Sequence, residues 1–72
     1  MESIGERAAK EIMRRVKYEK VKPELDRINI PVECYYSWAN GSRNPSAQGL
    51  KQLALAGYDV HYILTGERKD NA

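Results

Sequence analysis

Apolar residues return every four positions at the start of the chain, at Ile4, Ala8, Ile12 and Val16, with Ala9 and Met13 beside them. That spacing predicts a helix of about 15 residues with one buried stripe. Ser3-Ile4-Gly5-Glu6 marks its start as a capping box, the Ser3 hydroxyl accepting from an early backbone N–H and the Glu6 carboxylate reaching back to the cap. Gly5 in the first turn weakens this helix slightly. The period lapses over residues 18–22, and Pro23 suits the first position of a second helix whose inner edge is Leu25 and Ile28. Asn29, which tolerates positive φ, falls where the chain must reverse, and Ile30 plugs the corner. Pro31 blocks continuation of the second helix and suits the opening turn of a third, beginning at residue 31 or 32.

Spacings of three and four place Cys34, Tyr35 and Trp38 on the inner edge of the third helix and Val32, Glu33, Tyr36 and Ser37 on its outer face. Asn40-Gly41 ends it, and Ser42-Arg43-Asn44-Pro45 is a polar loop leading to the N-cap Ser46. A fourth helix carries Leu50, Leu53 and Ala54 inward and stops at Gly57. Asp59 caps a short fifth helix with Val60, Ile63 and Leu64 apolar, closed by Thr65-Gly66. The expected fold is all-α, a compact bundle of about five short helices. Residues 1–66 form one domain and 67–72 a polar tail.

Length narrows the functions available. A chain of 72 residues supports one small core and leaves no room for an enzyme with a deep cleft. Its single cysteine, Cys34, and single histidine, His61, cannot assemble a Cys/His metal site or a histidine relay, so no active site, metal or cofactor is expected. The four glycines at 41, 49, 57 and 66 lie at separate helix boundaries or inside a helix and form no phosphate-cradling loop. Cys34 reads as a core residue and His61 as a surface one. No apolar run is long enough to span a membrane and no cleavable signal is present, so the expected compartment is the cytoplasm. The formal net charge of +2 does not by itself demand a nucleic-acid partner. Cations nevertheless concentrate early, at Arg7, Lys10, Arg14, Arg15, Lys17, Lys20 and Lys22, and those on the first helix read as a solvated face.

The span 23–45, with Trp38-Ala39-Asn40-Gly41 followed by Arg43-Asn44-Pro45, resembles the helix-turn-helix of the lambda-repressor-like (Xre) family of bacterial and phage DNA-binding regulators. The run Ala56-Gly57-Tyr58-Asp59-Val60-His61-Tyr62-Ile63-Leu64-Thr65-Gly66 is similar to the end of that domain in phage repressors. The resemblance implies a third helix lying in the major groove of an operator. Val32, Glu33, Tyr36 and Ser37 would then meet base edges, and Asn40, Ser42, Arg43 and Asn44 would meet phosphates. Where the family's second helix opens with a glutamine, Val21 stands here and cannot hydrogen-bond. Lys22 is the phosphate contact expected in its place.

The expected partner is double-stranded DNA with a near-palindromic operator, bound by a homodimer, because one short helix reads too few base pairs to select a site. The dimer surface is expected at Tyr58, Tyr62 and Ile63, with Val60 and Leu64 beside them, where apolar residues exceed what a short terminal helix needs. No membrane or small-molecule substrate is expected. The alternative is a protein-interaction module of the antitoxin or anti-repressor type using the same fold, with which the acidic Glu33 is compatible.

Overall fold

Ser3 stands just outside the first helix, α1 (Ile4–Arg15), where its hydroxyl accepts from the Glu6 N–H and the Glu6 carboxylate accepts from the Ser3 N–H. The capping box therefore forms in full, and the Ser3 hydrogen bonds hold the Glu6 carboxyl below its ordinary pKa. The computed structural model describes residues 2–17 and 20–68. Within them follow α2 (Lys22–Arg27), α3 (Val32–Ala39), α4 (Ala47–Leu55) and α5 (Val60–Thr65), with no strand among the described residues. The fold is all-α, with a radius of gyration of 11.3 Å, as compact as a chain of this length becomes, about 11 Å.

α1 is shorter than its apolar period predicts. Val16 leaves the helix and Lys17 takes a left-handed φ of 55°, a conformation for which a lysine gives no local signal. Tyr18 and Glu19, in the segment where the period lapses, lie outside the described residues, as do residues 69–72 of the expected tail.

α1 packs along α3 and α5, α2 against α3, and α4 against α5. The largest fully buried side chains come from four different helices, Ile12, Leu25, Leu53 and Ile63, and Tyr35 and Trp38 add the aromatic part from α3. Ile28 and Ile30 are buried at the α2–α3 corner. Ala54 and Leu64, expected inward, are exposed, and Leu50 is half-buried. Ala54 and Leu64 each follow a fully buried residue, Leu53 or Ile63, and the next position on a helix is turned about 100° away.

The basic face of α1 is solvated at Lys10, Arg14 and Arg15, yet its cations also make specific contacts. Arg7 donates through Nε to the Ile63 carbonyl at 2.9 Å and through a terminal nitrogen to the Leu64 carbonyl at 3.2 Å. Arg15 donates to the carbonyls of Ala56 and Gly57 at 2.8 and 3.3 Å and lies 4.0 Å above the Tyr58 ring. Two guanidinium groups thus bind the carbonyl ends of α5 and α4, where helix dipoles favour positive charge. Lys10 pairs with Glu2, and Arg14 with Glu11. The start of the expected tail is also docked: Arg68 pairs with Glu11 and Asp59 and lies 4.1 Å over the Tyr62 ring.

Candidate functional site

A left-handed residue follows each of α1 to α4, at Lys17, Asn29, Gly41 and Gly57, and at the α2–α3 corner it sets the geometry. Ile28 ends α2, and Asn29 takes φ 60° and donates to the Asp26 carbonyl. The Ile30 N–H returns to the Leu25 carbonyl at 2.9 Å, and its side chain buries at the corner. This pair of backward hydrogen bonds around one left-handed residue reverses the chain within a few residues. Pro31 is extended (φ −60°, ψ 142°), and its carbonyl accepts from the Cys34 and Tyr35 N–H groups to open α3. No side chain caps this helix start.

Along α3 the buried edge is Tyr35 and Trp38. Burial pushes the Tyr35 hydroxyl above its ordinary pKa. On the other side Glu33 is exposed and has no ion pair among the described residues. Tyr36 is 58% exposed, its ring edge-on to Tyr35 at 5.4 Å between centroids. Val32 and Ser37, expected on the same outer face, are only half-exposed, and Val32 packs against the core. The outer edge of α3 is therefore narrower than expected, because Val32 is partly drawn into the hydrophobic core.

The loop after α3 is built by its own hydrogen bonds. Gly41 takes φ 81° and donates to the Trp38 carbonyl, and the N–H groups of Ser42 and Arg43 both reach the Ser37 carbonyl, at 3.0 and 3.2 Å. Asn40 Oδ1 accepts from the Ser42 N–H at 2.9 Å, so its Nδ2 hydrogens are left to face outward. Ser42 Oγ donates to the Ser37 carbonyl at 3.3 Å, and the residue is exposed. Asn44 likewise holds structure, its Oδ1 accepting from the Gly5 N–H at 2.9 Å and tying the loop to the first turn of α1. Arg43 is exposed and has no carboxylate partner among the described residues, as is the case for Lys17, Lys20 and Lys51. Lys22 pairs with Asp26 at 2.7 Å on the open surface of α2, a contact worth little and easily exchanged.

The residues expected to form a dimer surface do not come together there. Ile63 is fully buried and Tyr58 is buried. The Tyr58 hydroxyl donates to Glu24 Oε2 at 2.6 Å, linking α2 to the α4–α5 joint. Burial and the Glu24 contact push that hydroxyl far above its ordinary pKa, while Arg27 first, then Tyr58, holds the Glu24 carboxyl below its own. Tyr62 is half-buried under Arg68. The large apolar side chains left open in this half are Leu55, 74% exposed, and Leu64, 43% exposed. Cys34 is half-buried, not fully in the core, and His61 is exposed. No group of three or more His, Cys, Asp or Glu residues suited to a metal occurs among the described residues, and none of their helices is long and apolar enough to cross a membrane.

Sequence reasoning missed Gly5. A Cβ on it would run into the Arg43 carbonyl oxygen and lie 3.0 Å from Trp38 Cα, so the glycine lets α1 approach the backbone of α3 and its loop. No protein-family model, curated protein or solved structure matches the chain. Function is therefore read from the residues and their geometry.

Proposed function

We propose that the chain is a sequence-specific double-stranded DNA-binding domain of a bacterial or phage transcriptional regulator, a repressor that occupies an operator through α3 in the major groove. What carries the reading is the α2–α3 corner: two short helices locked by Asn29 and Pro31, with the outer edge of the second open at Glu33 and Tyr36. Such an edge is of the kind that enters the major groove in the lambda-repressor-like regulators the sequence resembles.

On this reading Glu33 accepts from a cytosine amino group and Tyr36 packs on a thymine methyl, with the open parts of Val32 and Ser37 beside them. Arg43, the Nδ2 groups of Asn40 and Asn44, and Lys22 released from Asp26 meet phosphates. The domain acts in the cytoplasm as a homodimer on a near-palindrome, and Leu55 and Leu64 are the open apolar side chains of α4 and α5 available for self-association.

The test is a titration against random duplex DNA over a salt series, followed by selection from a random pool. Binding that falls steeply with salt, and a selected near-palindromic sequence, support the reading; absence of any salt-sensitive binding ends it. The second reading, a protein-interaction module, is favoured by one observation. Glu33 stands exposed without a cation beside the open Tyr36 ring, and it would repel phosphates. That reading takes over when DNA binding is absent.

A further inference from the structure

A cleft of about 320 Å³ opens between the α2–α3 corner, α3 and the first half of α4, near the lower end of small-molecule sites, roughly 300–1,000 Å³. Ile30, Pro31, Cys34 and Trp38 give it an apolar floor. Asn29, Asn44, Gln48 and Gln52 add amides to its lining and Ser46 a hydroxyl. Arg43 brings the one charge, and no acidic residue is among those that line it. A cleft with an apolar floor and a single guanidinium, itself without a carboxylate partner among the described residues, is complementary to an apolar body bearing one negative charge.

Gly49 points the same way. It lies inside α4, where glycine is a poorer residue than alanine. Its φ is not positive, and a Cβ on it would sit 3.4 Å from Trp38 Cζ2 and 3.6 Å from Pro45 Cβ, ordinary contact distances. Neither backbone conformation nor a close approach requires a glycine at this position. What the missing methyl does is leave space in the wall of the cleft beside the Trp38 indole, which is itself only 4% exposed.

We propose that this cleft binds a small apolar monoanion, an aromatic or branched carboxylate whose body rests on Pro31 and Cys34 beside the Trp38 edge and whose carboxylate faces Arg43. The site stands independently of DNA binding. One consequence does rest on that reading: where Arg43 also meets a phosphate, the ligand and DNA compete for the same guanidinium.

Phenylacetate and its neutral amide, phenylacetamide, are the probes, used on the full chain. Trp38 is the only tryptophan and Cys34 the only cysteine, and both line the cleft, so indole emission and the rate of thiol alkylation report on it directly. Phenylacetate is expected to change Trp38 emission saturably and to slow alkylation of Cys34. Phenylacetamide binding to the parent, and phenylacetate binding to Arg43→Ala, should each be roughly fivefold weaker. Gly49→Ala should melt above the parent yet bind phenylacetate more weakly, a combination that loss of structure would not produce. The proposal is overturned when emission shows no saturable change, when the amide binds as tightly as the acid, or when Gly49→Ala binds like the parent. None of those results touches the DNA reading, which is measured by salt-dependent duplex binding without the probe.

Discussion

Gly5→Ala sets helix propensity against packing. In an isolated helix the change would stabilise α1 by about 1 kcal/mol. In the folded chain the added methyl meets the Arg43 carbonyl oxygen and lies 3.0 Å from Trp38 Cα and 3.3 Å from Trp38 Cβ. Two of these neighbours are main-chain atoms, so relief requires the loop after α3 to shift as a body. That shift also pulls Asn44 Oδ1 away from the Gly5 N–H, now 2.9 Å from it. Overpacking of this kind costs about 1–3 kcal/mol, and the part-buried hydrogen bond contributes about 1 kcal/mol more. Set against the gain in propensity, the net loss is about 1–3 kcal/mol. A core of this size supplies only roughly 3–5 kcal/mol in all. Thermal unfolding followed by far-ultraviolet circular dichroism should therefore show a midpoint lowered by roughly 5–20 °C. A midpoint equal to or above the parent's would refute the close packing of α1 on the loop. The same substitution at Gly49, where a methyl finds ordinary contacts, should move the midpoint upward.

Trp38→Ala removes the buried ring of α3 and should cost about 3–5 kcal/mol, leaving the chain largely unfolded; a cooperative transition near the parent's would mean that Trp38 is not core. The Glu24 carboxyl, held low first by Arg27 and then by Tyr58, stabilises the fold fully above its ordinary value of 4.5, and that contribution is lost as pH falls through the lower folded value. Urea midpoints measured down an acid series should thus fall more steeply for the parent than for Glu24→Gln, and parallel curves would sink the assignment. Tyr58→Phe, which removes the hydroxyl donating to Glu24, should cost about 1–2 kcal/mol at neutral pH by urea unfolding; an unchanged midpoint would show that bond to be idle. Asn40→Asp keeps the Oδ1 that accepts from Ser42 but loses the amide donors and adds a negative charge. Affinity should drop alike for all duplexes with the fold intact, and unchanged affinity would remove Asn40 from the interface.

The ends of the helices were legible because each is marked by a residue acting on its own neighbours: Ser3 with Glu6, Asn29 before Pro31, Ser46, Asp59, and glycine after α3, α4 and α5. Lys17 carries no such mark, and there the length of α1 was overestimated. Glu33 and Tyr36 followed from the helical period. Val32 did not, since the period says which way a side chain points and not how far the core reaches to meet it. Arg7, Arg15, Asn44 and Gly5 act on groups far along the chain, so composition could show only a basic face and a weak first turn. Tyr58 and Ile63 looked surplus because a six-residue helix seemed to need little cover, whereas α1 and α4 both pack on α5.

The two arginine forks of α1 also bear on how the molecule is made. Their acceptor carbonyls lie 41 to 57 residues further along. A ribosome delivers Arg7 and Arg15 early; the acceptors of Arg15 are present once Gly57 has emerged, and those of Arg7 on α5 only once Leu64 has. On a partial product α1 can already pack along α3, but a nascent chain stopped before α5 leaves Arg7 without its two α5 carbonyls. The first helix is thus fastened in two stages, along α3 first and then, through Arg7, to α5.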